Sequence, residues 1–212
     1  MVASLLVWLA ATASSLPPAA AKFVGVYDGH QMEMAVGLEL SANGRFQYGV
    51  SYGALDEQAE GQWTVSGDKV VLTSDPVTAP RFTFLGQKAA PAGSFQITLE
   101  TPKGMTAQYF HGMFVTAKGH GGDEQLRDDD PRSWVIDKAD PPIKAVVALP
   151  MFELHSDPVA IDPAKGYWLQ FRFEPNDLGK VDFKATPLAI EGGDLLLDRF
   201  DRHIRFHRST EK

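Results

Sequence analysis

The chain has 212 residues, with 20 Lys and Arg against 27 Asp and Glu, a formal net charge of −7 at pH 7 and no cysteine. A sequence without cysteine excludes disulfide frameworks, cysteine zinc sites and thiol catalysis. The acidic balance argues against nucleic acid as a partner, because such binding requires clustered Lys and Arg. We expect one large or two small globular domains, since a domain takes about 150 residues as a soft average.

The N-terminal segment resembles a secretory leader in its composition. Residues 1–21 carry no charged side chain, and 5–13 form an apolar run of signal-peptide length. Ala19 and Ala21 are the small residues that signal peptidase requires, although no basic residue precedes the run. The run is too short to span a bilayer. The sequence therefore predicts a signal peptide over 1–21, a mature chain from Lys22, a periplasmic or secreted location and no transmembrane segment. The alternative is a buried N-terminal helix, which the prolines after the run disfavour.

The first half of the mature chain has the pattern of an antiparallel β-sheet. Short runs alternate between apolar and polar residues and are separated by turn residues, which is typical of strands and hairpins. Asn43-Gly44 fits a two-residue type I′ turn, where both positions need a positive φ. The predicted strands are 23–27, 37–40, 45–52, 60–65, 69–73 and 81–85.

This half resembles the small lipocalin-like N-terminal β-barrel of NlpE-type bacterial outer-membrane lipoproteins. The similarity rests on turn glycines and core aromatics in residues 25–29, 38–40, 43–46, 60–63 and 71–73. Proteins of that family carry a lipidated cysteine and a Cys-x-x-Cys pair, and neither occurs here. The resemblance therefore implies a barrel, without a copper, redox or lipid-anchor role.

Four aromatic residues of this predicted barrel are candidate ligand contacts: Tyr27, Tyr48, Tyr52 and Trp63. They suit an aromatic cup for a small apolar ligand. They suit equally well the filling of the barrel itself. Packing is the simpler interpretation, because even eight strands enclose only enough room for side chains or one small ligand.

The second half continues as strands after a stretch of small residues at 88–93, which is typical of an exposed linker. Strands are predicted at 95–99, 110–117, 133–136, 143–149, 167–173, 181–185, 188–190, 195–197 and 203–207. Its opening, residues 93–99 and 112–117, weakly resembles transthyretin-like or carboxypeptidase-regulatory β-sandwiches, which implies a non-catalytic appendage. We therefore predict an all-β protein: a small antiparallel lipocalin-like barrel over 22–87, followed by a β-sandwich-like domain over 94–212.

The most polar stretch, residues 118–132, contains the candidate metal ligands His120, Asp123, Asp128 and Asp130. Clustered carboxylates are what hard cations such as Ca²⁺ require. The spacing does not match an EF-hand loop. A solvated loop is the main interpretation, and weak calcium binding is the alternative; no other cofactor is expected.

Two further groups of residues near the C-terminus are a pair of candidate zinc ligands and a basic patch. His203 and His207 are four residues apart, as in zinc-binding helices, although alternation with apolar residues favours an outward face of a strand. Arginines recur every three residues as a local basic patch, which suits either an anionic contact or a charged edge strand: Arg199, Arg202, Arg205 and Arg208.

The sequence contains no Gly-x-Ser-x-Gly or phosphate-loop motif. A glycosidase pair among Glu60, Glu153 and Asp157 would require the fold to bring two carboxylates within about 5–10 Å. The leading hypothesis is an exported, non-catalytic envelope protein with a binding or structural role. The alternatives are a lipocalin-like carrier of a small hydrophobic ligand and a carbohydrate-active or metal-dependent hydrolase.

Overall fold

The computed structural model describes residues 17–128 and 131–209 and confirms the all-β class. Three single-turn 3₁₀ helices occupy Ala21–Phe23, Ala107–Tyr109 and Pro150–Phe152. The strands of the described residues are, in chain order, β1 (Gly25–Asp28), β2 (Met34–Leu40), β3 (Arg45–Tyr52), β4 (Leu55–Ser66), β5 (Lys69–Ser74), β6 (Arg81–Lys88), β7 (Ser94–Glu100), β8 (His111–Thr116), β9 (Gly121–Gln125), β10 (Arg132–Val135), β11 (Pro142–Leu149), β12 (Leu154–His155), β13 (Val159–Ala160), β14 (Trp168–Glu174), β15 (Thr186–Glu191), β16 (Asp194–Arg199) and β17 (Arg202–Arg208).

Eight strands form a closed antiparallel barrel in the order β1-β17-β16-β15-β5-β4-β3-β2. Closure is made by β1 and β17, where Tyr27 lies opposite Arg208 and Asp28 opposite His207. Alternation then places one face of each strand inside. In β3 the inward residues Phe46, Tyr48 and Val50 are buried, as the sequence pattern predicts.

The barrel is discontinuous in sequence. One compact unit combines the chain up to Val77 with the chain from Lys180 onward, and a second unit comprises Thr78–Gly179. This division differs from the predicted domains at 22–87 and 94–212. The first five strands alone would leave two open sheet edges, so the barrel takes its last three strands from beyond the inserted unit.

The inserted unit holds its own two ends together. The amide of Asp177 donates to the Thr78 carbonyl at 3.1 Å, and the amide of Thr78 donates to the Asp177 carboxylate at 2.9 Å. The side chain of Asn176 donates to the Ala79 carbonyl at 2.8 Å. Because its ends are adjacent, the unit interrupts the barrel sequence in the way that a short loop would.

The chain that returns from the inserted unit bonds to β4 and β5 before β15 begins. Residues 181–185, predicted as a strand, are not a regular strand. The Val181 amide donates to the Gln58 carbonyl at 2.8 Å, and Ser74 and Phe183 exchange two bonds at 2.8 and 2.9 Å. Val181 and Phe183 are thereby buried in the barrel core.

The inserted unit is a β-sandwich. One sheet has the order β10-β7-β14-β6, and the other has the order β12-β11-β8-β9, with β13 paired to β11. Both contribute to an aromatic core in which Phe110 lies against Phe82 and Phe173, at ring-centroid distances of 6.0 and 4.9 Å. The contacts of Phe82 explain why β6, which the sequence analysis assigns to the barrel, belongs here. The predicted linker at 88–93 contains the last residue of β6 and the turn that leads to β7 of the same unit.

We expect the barrel to require its C-terminal strands and to tolerate removal of the insert. A fragment of residues 22–87 should lack a cooperative transition, since three of eight barrel strands are missing. A chain in which 78–179 is replaced by a short Gly/Ser linker should fold. Circular dichroism during thermal melting measures both. A cooperatively folded 22–87 fragment would contradict the closure described above.

Candidate functional site

Two of the four predicted ligand-contact rings are fixed by hydrogen bonds to backbone. The Tyr27 hydroxyl donates to the Phe23 carbonyl at 2.7 Å, and Trp63 Nε1 donates to the Ser41 carbonyl at 3.0 Å. Both side chains are fully buried. Their polar atoms are therefore engaged within the barrel unit, which supports the packing interpretation for these two residues.

The other two rings, Tyr48 and Tyr52, belong to an inward group that we call the lumen cluster. Tyr48 lies against Phe183 at a ring-centroid distance of 5.2 Å, and Tyr52 lies 6.2 Å from Phe200. The Arg199 guanidinium is 4.7 Å from the Phe200 ring centroid and 5.8 Å from that of Phe183, so it joins the two ring pairs. The lumen cluster comprises Tyr48, Tyr52, Glu57, Phe183, Arg199 and Phe200.

The polar centre of the lumen cluster is an ion pair between Arg199 of β16 and Glu57 of β4. Arg199 shares its strand face with the buried Leu195 and Leu197, and Glu57 shares its face with Ala59, so both side chains point inward. Their side-chain exposures are 23% and 16%. Partial burial strengthens the attraction relative to a surface pair, and it also makes the loss of either partner costly.

The Tyr48 hydroxyl has no hydrogen-bond partner among the described residues, although the side chain is only 3% exposed. Burial disfavours the phenolate and raises the pKa of Tyr48 to about 12, against the opposing effect of Arg199. A second buried donor, the Nε of Arg199, also lacks a partner. Unpaired buried donors are uncommon in proteins. The lumen cluster, which contains two of them, is therefore the candidate site in the barrel interior.

The predicted arginine patch is dispersed by the hairpin geometry. Arg199 points inward, and the Arg202 guanidinium lies 5.3 Å from the Tyr52 ring centroid. Arg205 bonds Glu191 at 2.8 Å and Asp194 at 3.2 Å, and Arg208 bonds the backbone carbonyls of Lys22 and Val24. A three-residue period in β-structure alternates between faces, so these four cations do not form one surface.

The predicted calcium ligands each have a different partner. His120 Nδ1 donates to Asp140 at 2.6 Å, and His111 Nδ1 donates to Asp123 at 2.6 Å. Asp128 accepts hydrogen bonds from the Ala107 amide and from the Thr106 hydroxyl. Both bonds lower the pKa of Asp128, and the bond from Ala107 has the larger effect. Asp130 lies outside the described residues. Among the residues that the structure describes, no group of three or more His, Asp or Glu side chains is placed to hold a metal ion.

Part of the polar stretch, for which the sequence predicts a loop, is the strand β9. Its amide groups pair with β8, with Met113 opposite Asp123 and Phe114 opposite Gly122. A side chain at Gly122 would lie 2.3 Å from the Phe114 ring, so the glycine allows this close approach. The strand therefore depends on a contact between two elements, which the local sequence does not show.

Asp140 anchors the turn that carries His120. Desolvation acts to raise its pKa, but hydrogen bonds from His120, from the Lys118 amide and from the Thr116 hydroxyl outweigh it and lower the pKa. Asp140 is buried, whereas His120 is exposed. Asp140 is not among the residues that the sequence pattern predicts for a site.

The remaining candidates are members of local ion pairs or exposed residues. His203 Nδ1 bonds Asp198 at 2.5 Å, and His207 Nδ1 lies 3.1 Å from Asp194. Of the proposed carboxylate pair, Glu60 is an exposed residue of β4 in the barrel. The other two, Glu153 and Asp157, are exposed residues of the sandwich.

Three members of the lumen cluster, Glu57, Phe183 and Phe200, are absent from the sequence candidates. Glu57 has the same strand parity as the buried Ala59 and Trp63, so the alternation of β4 could have identified it. Phe183 lies in an irregular segment, and Phe200 has a positive φ of 57° in the β16–β17 turn. Only the closed barrel shows that these three side chains each contact Arg199.

A comparison of the chain with protein-family models, with curated proteins and with solved structures finds no match in any of the three. No helix within residues 17–128 and 131–209 is long and apolar enough to cross a membrane.

We expect Arg199→Met to destabilise the protein by about 2 kcal/mol, because it leaves Glu57 partly buried without a cation. The double variant Arg199→Met/Glu57→Gln should recover most of that loss. The matched control Arg205→Met removes a more exposed cation and should cost within about 1 kcal/mol. Urea denaturation measures all three. Additive losses in the double variant would contradict the inward ion pair.

The raised pKa of Tyr48 predicts that the protein loses stability at alkaline pH. The folded-state pKa of about 12 lies above the unfolded value of 10, so the unfolded state releases its proton first. The contribution of Tyr48 is complete below pH 10 and falls as the pH rises towards 12, by at most about 1.4 kcal/mol per pH unit. Urea denaturation between pH 9 and 12 should show a weaker pH dependence for Tyr48→Phe than for the parent. Parallel curves would contradict a raised pKa.

Proposed function

We propose that the protein is an exported, non-catalytic component of the bacterial envelope with a binding or structural role. The observation that carries the proposal is the filled barrel. Tyr27, Tyr48 and Trp63 are each at most 3% exposed, and Phe183 adds a further ring to the same core. Close-packed interiors of this kind suit a rigid module that presents its outer surface or its inserted domain.

The position of the predicted leader also supports export. Among the described residues, the N-terminal part of the barrel core is formed by Ala20 and by Phe23 of the 3₁₀ helix at Ala21–Phe23. Within the described residues, these core side chains lie on either side of the expected mature N-terminus at Lys22. Ala20, on the leader side of that point, is also buried, and cleavage would remove its single methyl group from the core. Of the predicted signal peptide, residues 1–16 lie outside the described part of the chain.

The lumen cluster favours a second candidate function, the lipocalin-like carrier. A ligand with a hydrogen-bond acceptor would satisfy the Tyr48 hydroxyl and the Arg199 Nε, which both lack a protein partner among the described residues. The two functions differ in what Tyr48→Phe does. In a packed barrel the substitution removes an unpaired buried hydroxyl and should stabilise the protein, whereas in a carrier it removes a ligand contact.

Mass spectrometry of the protein expressed in a bacterial host tests the proposal. We expect the periplasmic fraction to contain a chain that starts at or near Lys22, and a control that lacks residues 1–21 to remain in the cytoplasm. A chain that starts at Met1 and stays in the cytoplasm would overturn export. In native spectra we expect the bare polypeptide mass. An adduct of constant mass that Tyr48→Phe abolishes would instead establish the carrier.

A further inference from the structure

The sandwich contains a pocket of about 340 Å³ beside the turn that joins β6 to β7. Its walls are mainly small and apolar. A volume of this size is at the lower end of the range for small-molecule sites. The residues that line it include Ala90, Pro91, Ile136, Lys138, Pro141 and Tyr167.

Backbone hydrogen bonds hold the wall from 89 to 94 in place. The Ser94 amide and hydroxyl both donate to the Pro91 carbonyl, at 3.0 and 2.8 Å. The Ile136 amide donates to the Gly93 carbonyl at 2.9 Å. This wall is the segment that the sequence analysis expects to be an exposed linker, and it is fixed to β7 and to the chain after β10.

The opposite wall is fixed as firmly. The Gln87 side chain donates to the Asp162 carbonyl at 2.8 Å and also bonds the Gly166 carbonyl. A Cβ at Gly166 would lie 2.5 Å from the Lys88 carbonyl oxygen, so the loop approaches β6 more closely than any other residue would permit. The pocket is therefore formed without a ligand, and binding would incur little ordering cost.

The pocket carries one cation at its rim. Lys138 has no carboxylate partner among the described residues. The neighbouring carboxylate of Asp137 is used within its own turn, where it accepts from the Ala139 amide at 2.8 Å. Lys138 is therefore the cationic residue of the pocket lining, and it is bonded to no carboxylate that the structure describes.

We propose that this pocket binds a small amphipathic monoanion, with its apolar body against Pro91, Ile136 and Tyr167 and its acidic group beside Lys138. The positive charge of Lys138 favours a negatively charged ligand, and the apolar walls favour a ligand with an apolar body. A fully polar anion would gain nothing from these walls, and a neutral hydrocarbon would gain nothing from the lysine. This site lies within the sandwich and does not depend on the barrel or on export.

Fluorescence titration with anilinonaphthalene sulfonate, an apolar monoanion, tests the site in the full chain, with octanoate as a competitor. We expect saturable binding to the folded protein, displaced by octanoate. Lys138→Gln should weaken binding about three- to fivefold, as expected for a partly exposed charge pair. Ala90→Phe, which fills the pocket, should abolish it. The matched control Lys103→Gln changes an exposed lysine outside the pocket lining and should bind like the parent.

Several outcomes would overturn the proposal. Equal affinity in the parent, Lys138→Gln and Ala90→Phe places the probe elsewhere, and loss of binding in Tyr48→Phe instead places it in the barrel. An equal loss in Lys138→Gln and Lys103→Gln shows a general charge effect. Thermal melting of each variant confirms that it is folded, and an unfolded Ala90→Phe is replaced by Ala90→Leu, which also reduces the volume.

Discussion

The fold depends on the pairing of β1 with β17. This ladder joins strands from opposite ends of the sequence, and without it the barrel would be an open sheet with an exposed edge on each side. The entropic cost of such a long closure grows only slowly with loop length, by about 0.6 kcal/mol per doubling. The bonds between Thr78 and Asp177 reduce the effective length further, because they hold the ends of the inserted sandwich together. A whole domain can therefore lie within the barrel sequence.

Closure of the barrel also brings together the side chains that fill it. Phe183 belongs to the irregular chain that returns from the insert, and its ring lies against Phe46 and Tyr48. The ion pair of Arg199 with Glu57 joins strands that are not neighbours in the sheet. An inward ion pair is weak support for stability in itself, but it disfavours alternative registers, since a one-residue slip of either strand would bring its charge to the outer face and leave the other charge unpaired inside.

The histidines show that tertiary contacts determine the role of polar residues that the sequence alone suggests as metal ligands. Five of the six lie beside an aspartate, in the pairs His30–Asp28, His111–Asp123, His120–Asp140, His203–Asp198 and His207–Asp194. Four of these pairs are local to one hairpin or turn, and His120–Asp140 is the exception. The residue types that favour a metal site in the sequence analysis therefore serve here as separate contacts between neighbouring segments. No pattern along the chain predicts the partner of His120, because Asp140 is 20 residues away and is placed by β11.

The sequence by itself determined the local features of this protein. Alternation and turn residues predicted the class, most strands and the inward face of β3, because these depend on neighbouring residues and on the two-residue period of a strand. The tertiary structure alone decided which strands share a sheet, where the domain boundaries lie and which side chains meet. Strand pairing depends on contacts between distant residues, and β6 has the same pattern whether it lies in the barrel or in the sandwich. Thus barrel closure produces the ion pair of Glu57 with Arg199 and the ring contact of Phe183 with Tyr48. The pocket beside residues 89–94 depends on the fold of the inserted sandwich. No sequence motif predicts any of these three features.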